Sequence, residues 1–250
     1  MRMPRRVLWR VYWRSLFLQA AWNPQGMQNL GLAYALYPAL EVLYPDEAGR
    51  SEALRRHLTV FNTHPYVAAS ILGGVLHHER RIARGEEPPD RVVAFKAALM
   101  GPLAALGDGF FWLSLRPAVG AACAALVPWL GAWAALLFVV LYNTVHLVLR
   151  ARFYRMGLLL GDGLLSALGA ERLPVWGTRL RHVAAACAGG LAAGLAAQFG
   201  AQQPGAGGPL LGVGCLVLGG VGYWAVGRRL PHNVLLFLAA GLAVAAGAFL

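Results

Sequence analysis

The sequence predicts an all-α integral membrane protein, with amphipathic N-terminal helices, a broken re-entrant hairpin, one central span and a C-terminal group of about three transmembrane helices. Three observations carry that prediction. Hydrophobic residues make up 58% of the 250 and charged residues 13%, roughly half the charged share of a soluble domain. Residues 117–149 contain no charge, a run longer than the roughly 20 residues one crossing needs. The net charge of +11 comes from arginines, plus Lys96, that flank apolar runs. That placement is the positive-inside pattern of membrane chains rather than a nucleic-acid footprint.

Residues 1–94 read as an amphipathic, interfacial and partly cytoplasmic region. Over 5–20, Arg6, Arg10 and Arg14 recur every four residues as one stripe, opposite Trp9, Tyr12, Trp13, Leu16 and Phe17. A helix so divided suits the headgroup boundary. The start MRMPRR resembles a signal-peptide n-region, but Arg10 and Arg14 interrupt the apolar run that would follow, so no cleavage is expected. Asn23 and Pro24 make an N-cap and first-turn pair for a helix that Pro38 kinks or ends. Gln25, Gln28 and Asn29 place amides in its first turns, and amides both donate to and accept from hydroxylated ligands. Ser51 is the expected N-cap of a short helix in the polar stretch 45–63, and Pro65 opens a helix over about 66–84. The His77-His78-Glu79-Arg80-Arg81 run reads as its solvated end. Adjacent histidines on a helix diverge, which makes them a poor metal pair.

Residues 95–149 hold the predicted hairpin and span. Gly101-Pro102 and Gly107-Asp108-Gly109 interrupt an apolar stretch. Broken backbone at membrane depth survives only inside protein or beside a wet cavity, and a carboxylate there faces a partner or a pathway. Asp108 is therefore placed near a hairpin tip; it equally suits an N-cap for 109–115. A full span follows at about 129–149, with Asn143, His146 and Arg150 along one face near its end. For Asn143 and His146 a path-lining role and a helix–helix hydrogen bond remain open; Arg150 reads as snorkelling to the headgroups.

Residues 150–182, with Arg150, Arg152, Arg155, Arg172, Arg179 and Arg181, read as a basic cytoplasmic connection. Residues 183–250 then supply spans at about 183–200, 209–227 and 234–250, the first carrying Gly190-x-x-x-Gly194. The uncharged loop 201–208 and Arg228-Arg229 fix one orientation: N-terminus cytoplasmic, C-terminus outside. Cys123, Cys187 and Cys215 sit apart in apolar runs, as free buried thiols do. No phosphate loop, zinc-protease motif, nucleophile elbow or nucleophile–base pair is present, so neither a catalytic residue, a metal nor a cofactor is expected.

RVYWRS at 10–15, LQAAWN at 18–23, MQNLG at 27–31, FNTHPY at 61–66, GPLAALGD at 101–108 and LRP at 115–117, taken together, resemble the IID component of mannose/fructose/sorbose-type phosphotransferase permeases. The resemblance covers about the first 160 residues. It implies a non-catalytic subunit of the bacterial inner membrane that pairs with a IIC subunit in a trimer of heterodimers. The pair would bind a mannose-type hexose and pass it inward, with IIB, itself supplied by IIA, delivering the phosphate. Carried over by motif, Gln19, Asn23, Gln28, Asn29, Asn62, His64 and Asp108 face sugar or the IIC interface; Asn143 joins them from its position on the span. Two features depart from the family: Pro24-Gln25-Gly26 replaces an acidic and basic residue before the Met-Gln pair, and 161–182 lacks a Thr-Glu-Gly-Ala-type run. These departures also fit a divergent IID-like scaffold or regulatory subunit without transport.

Overall fold

The computed structural model describes residues 3–202, together with Val217. The expected spans at 209–227 and 234–250, most of the loop 201–208, and Cys215 lie outside the described residues. The chain divides into two compact units, 1–185 and 186–250. Of the second, the C-terminal part of one helix is described.

Among the described residues the structure is helical, with no strand. Helix α1 (Arg5–Arg14) runs into a single 3-10 turn, Ser15–Phe17, so it is shorter than the 5–20 periodicity predicts. Its aromatic face is also split. Tyr12 turns inward with Val7 and Val11, whereas Trp9 and Trp13 remain more than half exposed at 58% and 54%.

Helix α2 (Asn29–Leu43) begins six residues after Asn23. Asn23 does not cap it; its Oδ1 accepts the Gly26 N–H at 2.8 Å and closes a turn over 23–26. Pro38 does not end the helix either. A proline at 38 leaves the Tyr34 carbonyl without its helical donor, and the Arg14 guanidinium fills that vacancy, donating to Tyr34 O at 3.2 Å while lying 4.6 Å above the Tyr34 ring. Helix α3 (Glu47–His57) is capped by Asp46, not Ser51: the Asp46 carboxylate accepts the Gly49 N–H at 2.6 Å. Helix α4 (Ala68–Ile82) starts three residues after Pro65.

The predicted break around Asp108 is absent. Helix α5 (Asp90–Gly107), a π-helical stretch (Asp108–Leu115) and α6 (Arg116–Ala125) form one uninterrupted rod. Pro102 lies within it, exposed, as prolines are tolerated in membrane-spanning helices. Pro117 cannot donate to the Leu113 carbonyl and crowds it; the preceding turns widen instead, and the Arg116 N–H reaches back to Phe111 O. Asp108 is thus neither a tip nor an N-cap. The chain reverses farther on, through the short helix α7 (Val127–Leu130) and a left-handed Gly131 with φ +52°. Helix α8 (Trp133–Leu160) returns, continuing past Arg150 through part of the expected connection. The rest of 150–182 is α9 (Leu164–Ala170) and the start of α10 (Leu173–Gln202), whose Gly190 and Gly194 are both exposed.

The largest helix–helix interface joins α4 to α8. Glycines set its closeness: a Cβ on Gly157 would lie 2.0 Å from the Ser70 carbonyl oxygen, and one on Gly73 would lie 2.3 Å from that of Tyr154. Leu32, Leu36, Leu40, Ile71, Leu72, Leu76 and Phe153 fill the core around it. Among the described residues, two stretches are long and apolar enough to cross a membrane, Asp90–Ala125 and Trp133–Leu195.

Candidate functional site

The segment before α2 crosses the segment before α4, and most of the predicted amides are spent there. Gln28 is buried and donates through Nε2 to the Thr63 carbonyl at 2.8 Å, while its Oε1 accepts the Thr63 N–H at 3.1 Å. The backbones join beside it, Gln28 N–H to Phe61 O at 2.8 Å and Phe61 N–H to Gly26 O at 3.2 Å. Asn29 accepts from Asn23 Nδ2 at 3.0 Å and donates to the Leu58 carbonyl at 2.7 Å. A side-chain amide reproduces the donor–acceptor pair of a peptide unit, so these three residues act as lateral backbone and tie the crossing together.

Beyond the crossing, His64 enters a cluster of rings. Pro65 holds it extended. Its imidazole stacks 5.3 Å from the Phe111 ring and lies 4.8 Å from that of Trp112. The α5 backbone comes close: a Cβ on Gly107 would lie 2.3 Å from His64 Cγ, so only glycine fits. Tyr66 stacks on His146 with ring centroids 3.6 Å apart. Arg150, 2% exposed, pins the arrangement from α8, donating to the Pro65 carbonyl at 2.8 Å, to Ser15 Oγ at 2.9 Å and to the Ser15 carbonyl. Arg150 therefore does not snorkel. Burial, helped by the Arg150 charge, pushes the His64 imidazole down to about 4, so it is neutral at pH 7. His64 Nδ1 accepts the Tyr66 N–H at 3.3 Å, which puts the proton on Nε2; that nitrogen and both ring nitrogens of His146 are buried without a partner among the described residues.

The other predicted positions are open. Asp108 is half-buried, follows Gly107 directly, and sits one turn before Trp112. Its carboxylate makes no hydrogen bond or ion pair among the described residues. The Asn62 side chain is exposed, and only its backbone N–H is engaged, with Met100 Sδ at 3.4 Å. Gln19 is exposed after the 3-10 turn. Asn143 does not join the cluster: it is exposed and donates to Val139 O of its own helix at 2.8 Å. Sequence reasoning missed Tyr66, Phe111, Trp112 and Tyr142, whose ring lies 6.2 Å from that of Tyr66. The signal for Tyr66 lay in FNTHPY; the others read as ordinary apolar helix.

A second polar centre lies where solvent was expected. Glu79 is fully buried. It accepts from Arg56 Nε at 2.8 Å and Nη2 at 2.9 Å, from His57 Nε2 at 2.9 Å and from Tyr44 Oη at 2.7 Å. Burial would raise its carboxyl, but the Arg56 and His57 hydrogen bonds outweigh burial and hold it down at about 2. Burial lowers His57, against the pull of Glu79, so it is a neutral donor here. Lys96, also buried, donates to the Arg56 carbonyl at 2.7 Å and to Thr59 Oγ1 at 3.2 Å, closing the end of α3. His78 is likewise buried, paired through Nδ1 with Glu87 at 2.8 Å, and His77 Nδ1 meets the Leu158 carbonyl at 3.2 Å. His77, His78 and Glu79 form an interior seam rather than a solvated end, and within the run Arg81 is the exposed residue.

Comparison with known proteins places this architecture. The family model described as PTS system mannose/fructose/sorbose family IID component matches residues 2–198. The PTS system mannose-specific EIID component of Escherichia coli K12 is 44% identical over 145 residues, covering 56% of this chain and 50% of that protein. The fructose permease IID component of Bacillus subtilis 168 is 33% identical over 173 residues, 69% of this chain and 63% of that protein. The matched region thus spans only about half to under two thirds of the length of these relatives. Among solved structures, a chain of the mannose transporter ManYZ in complex with microcin E492 is similar at TM-score 0.61 and 29% identity, covering 99% of this chain and 96% of that one. Another membrane protein is similar at TM-score 0.72 and 27% identity, covering 98% of both. The family match over residues 2–198, carried on a helical scaffold with two membrane-length stretches, establishes the assignment: the chain belongs to the mannose/fructose/sorbose family of phosphotransferase-system IID components.

Proposed function

We propose that this chain is the IID subunit of a permease that, with a IIC subunit, binds a mannose-type hexose and passes it inward for phosphorylation by IIB. The Asp108 carboxylate carries the reading. It has no hydrogen-bond or ionic partner among the described residues, directly follows Gly107, which packs on His64, and sits one turn before Trp112 of the ring cluster. A carboxylate accepts hydroxyl hydrogen bonds, and an indole face packs against a sugar ring. Asn62 and Gln19, whose side chains are also uncommitted, complete the set that faces sugar or IIC. Gln28, Asn23 and Asn29 support the site by holding the crossing, and His64 positions the rings. Asn143 belongs to the IIC side. The assembly is a trimer of heterodimers, with the N-terminus cytoplasmic and the C-terminus outside.

The test is calorimetry on the purified IIC–IID pair. Asp108→Ala should weaken hexose binding by roughly 10- to 100-fold, the worth of a hydrogen bond to a charged group, while the pair still co-elutes. Unchanged binding by an intact Asp108→Ala pair would overturn this role and favour a scaffold without a sugar site.

A further inference from the structure

The cleft between α1 and α8 plays no part in the arrangement above. It has a volume of about 370 Å³ and an apolar floor of Leu8, Tyr12, Ala151 and Tyr154. The two hydroxyls that would make it polar are spent within the protein. Tyr12 Oη donates to the Leu147 carbonyl at 3.4 Å, and Tyr154 Oη donates to the Leu8 carbonyl at 3.0 Å. Arg5 and Arg155 line the same cleft, one from each helix. Both are exposed, and neither has a hydrogen-bonding or ionic partner among the described residues.

This chemistry selects its occupant. A sugar needs several donors and acceptors, and beside the two guanidiniums the cleft offers only two tyrosine hydroxyls whose protons are already committed. An inorganic anion has no use for a hydrocarbon floor. An amphiphile with a negative head uses both halves: phosphate oxygens meet the two guanidiniums, and an acyl chain covers the leucine and ring faces. The location agrees. Trp9 borders the cleft, its ring stacks 6.5 Å from Trp13, and both project outward with Phe17. Such aromatic rings favour the headgroup level of a bilayer, and basic pockets beside membrane helices hold anionic lipid heads. We propose that the α1–α8 cleft binds one anionic phospholipid, with Arg5 and Arg155 on its phosphate and Leu8, Tyr12 and Tyr154 along its chain. The proposal rests on the membrane setting of the fold, not on the sugar reading.

Native mass spectrometry of the full chain in mild detergent tests it, with equal amounts of phosphatidylglycerol and phosphatidylcholine added. The wild-type chain should retain one phosphatidylglycerol and no phosphatidylcholine. The double variant R5A/R155A should lose that preference roughly 30-fold, the effect of two basic side chains near a phosphate. R6A/R10A, which removes equal charge from α1 outside the cleft, should bind as wild type does. Ala151→Phe fills the floor while keeping both arginines, and should also expel the lipid. Melting curves on each variant confirm the fold. Equal retention by R5A/R155A, equal retention of phosphatidylcholine, an equal loss in R6A/R10A, or displacement of the lipid by a IIC subunit would each overturn the proposal.

Discussion

Replacing Glu79 by glutamine removes a charge that three donors converge on. The carboxyl sits at about 2 instead of its ordinary 4.5. At about 1.4 kcal/mol per pKa unit, its surroundings favour the charged form by about 3 kcal/mol. Glutamine also turns an amide NH2 toward Arg56, His57 and Tyr44, all of which donate. Breaking a buried pair by removing one member costs about 3–5 kcal/mol, and a chain of this size loses roughly 2–4 °C per kcal/mol. The expected drop in Tm is about 10 °C, read by tryptophan fluorescence of the purified chain at pH 7. The wild type should also show a two-part acid limb. His57 is lowered in the fold, so its stabilisation is complete above its ordinary 6.5 and erodes below it, where the unfolded chain takes up a proton first. Glu79 is lowered too, so its stabilisation is present above about 4.5 and lost as pH falls toward 2. A Glu79→Gln chain melting within about 2 °C of wild type, with the same limb between 4.5 and 2, would refute the argument.

The other predictions separate structural from open positions. Gln28→Ala strands the Thr63 N–H and carbonyl and should cost about 2–4 kcal/mol, whereas Asn62→Ala should stay within about 0.5 kcal/mol, both measured by thermal or denaturant unfolding. Gly157→Ala drives a methyl to 2.0 Å from the Ser70 carbonyl oxygen and should give little folded protein on size-exclusion chromatography. By contrast, Gly169→Ala, with nothing within 4 Å, should stabilise by about 0.5–1 kcal/mol. Arg150→Lys keeps the charge but not the fork that bridges Pro65 to Ser15; a melting loss of about 3 kcal/mol or more is expected.

The chain's helical class and its amide and histidine stretches were readable because both are local. Composition sets the class, and FNTHPY and MQNLG carry the family resemblance, but that the two segments cross is seen only in the structure. What misled was punctuation. Gly-Pro and Gly-Asp-Gly each read as breaks, yet the helix from Asp90 runs on through both, and it widens to π turns only over Asp108–Leu115, ahead of Pro117. Pro38 is absorbed differently, because Arg14, 24 residues earlier in sequence, supplies the missing donor to Tyr34 O. Neither compensation is visible in a window of a dozen residues. The same holds for Glu79: flanked by histidines and arginines it looks wet, and only Arg56, His57 and Tyr44 on distant segments make its burial possible. At the candidate site, sequence named the polar residues but could not divide them into those consumed by backbone and those left open.

At Gly73 and Gly157 no side chain stands between α4 and α8; carbonyl oxygens of one helix rest where a methyl of the other would have to be. Such a joint has no lubricant. Sliding or rolling either helix past the other would drive main chain into main chain, so the two travel as one solid piece. Any motion of the proposed permease must be taken up at other seams, and labels placed on these two helices should keep a fixed separation in every state of it.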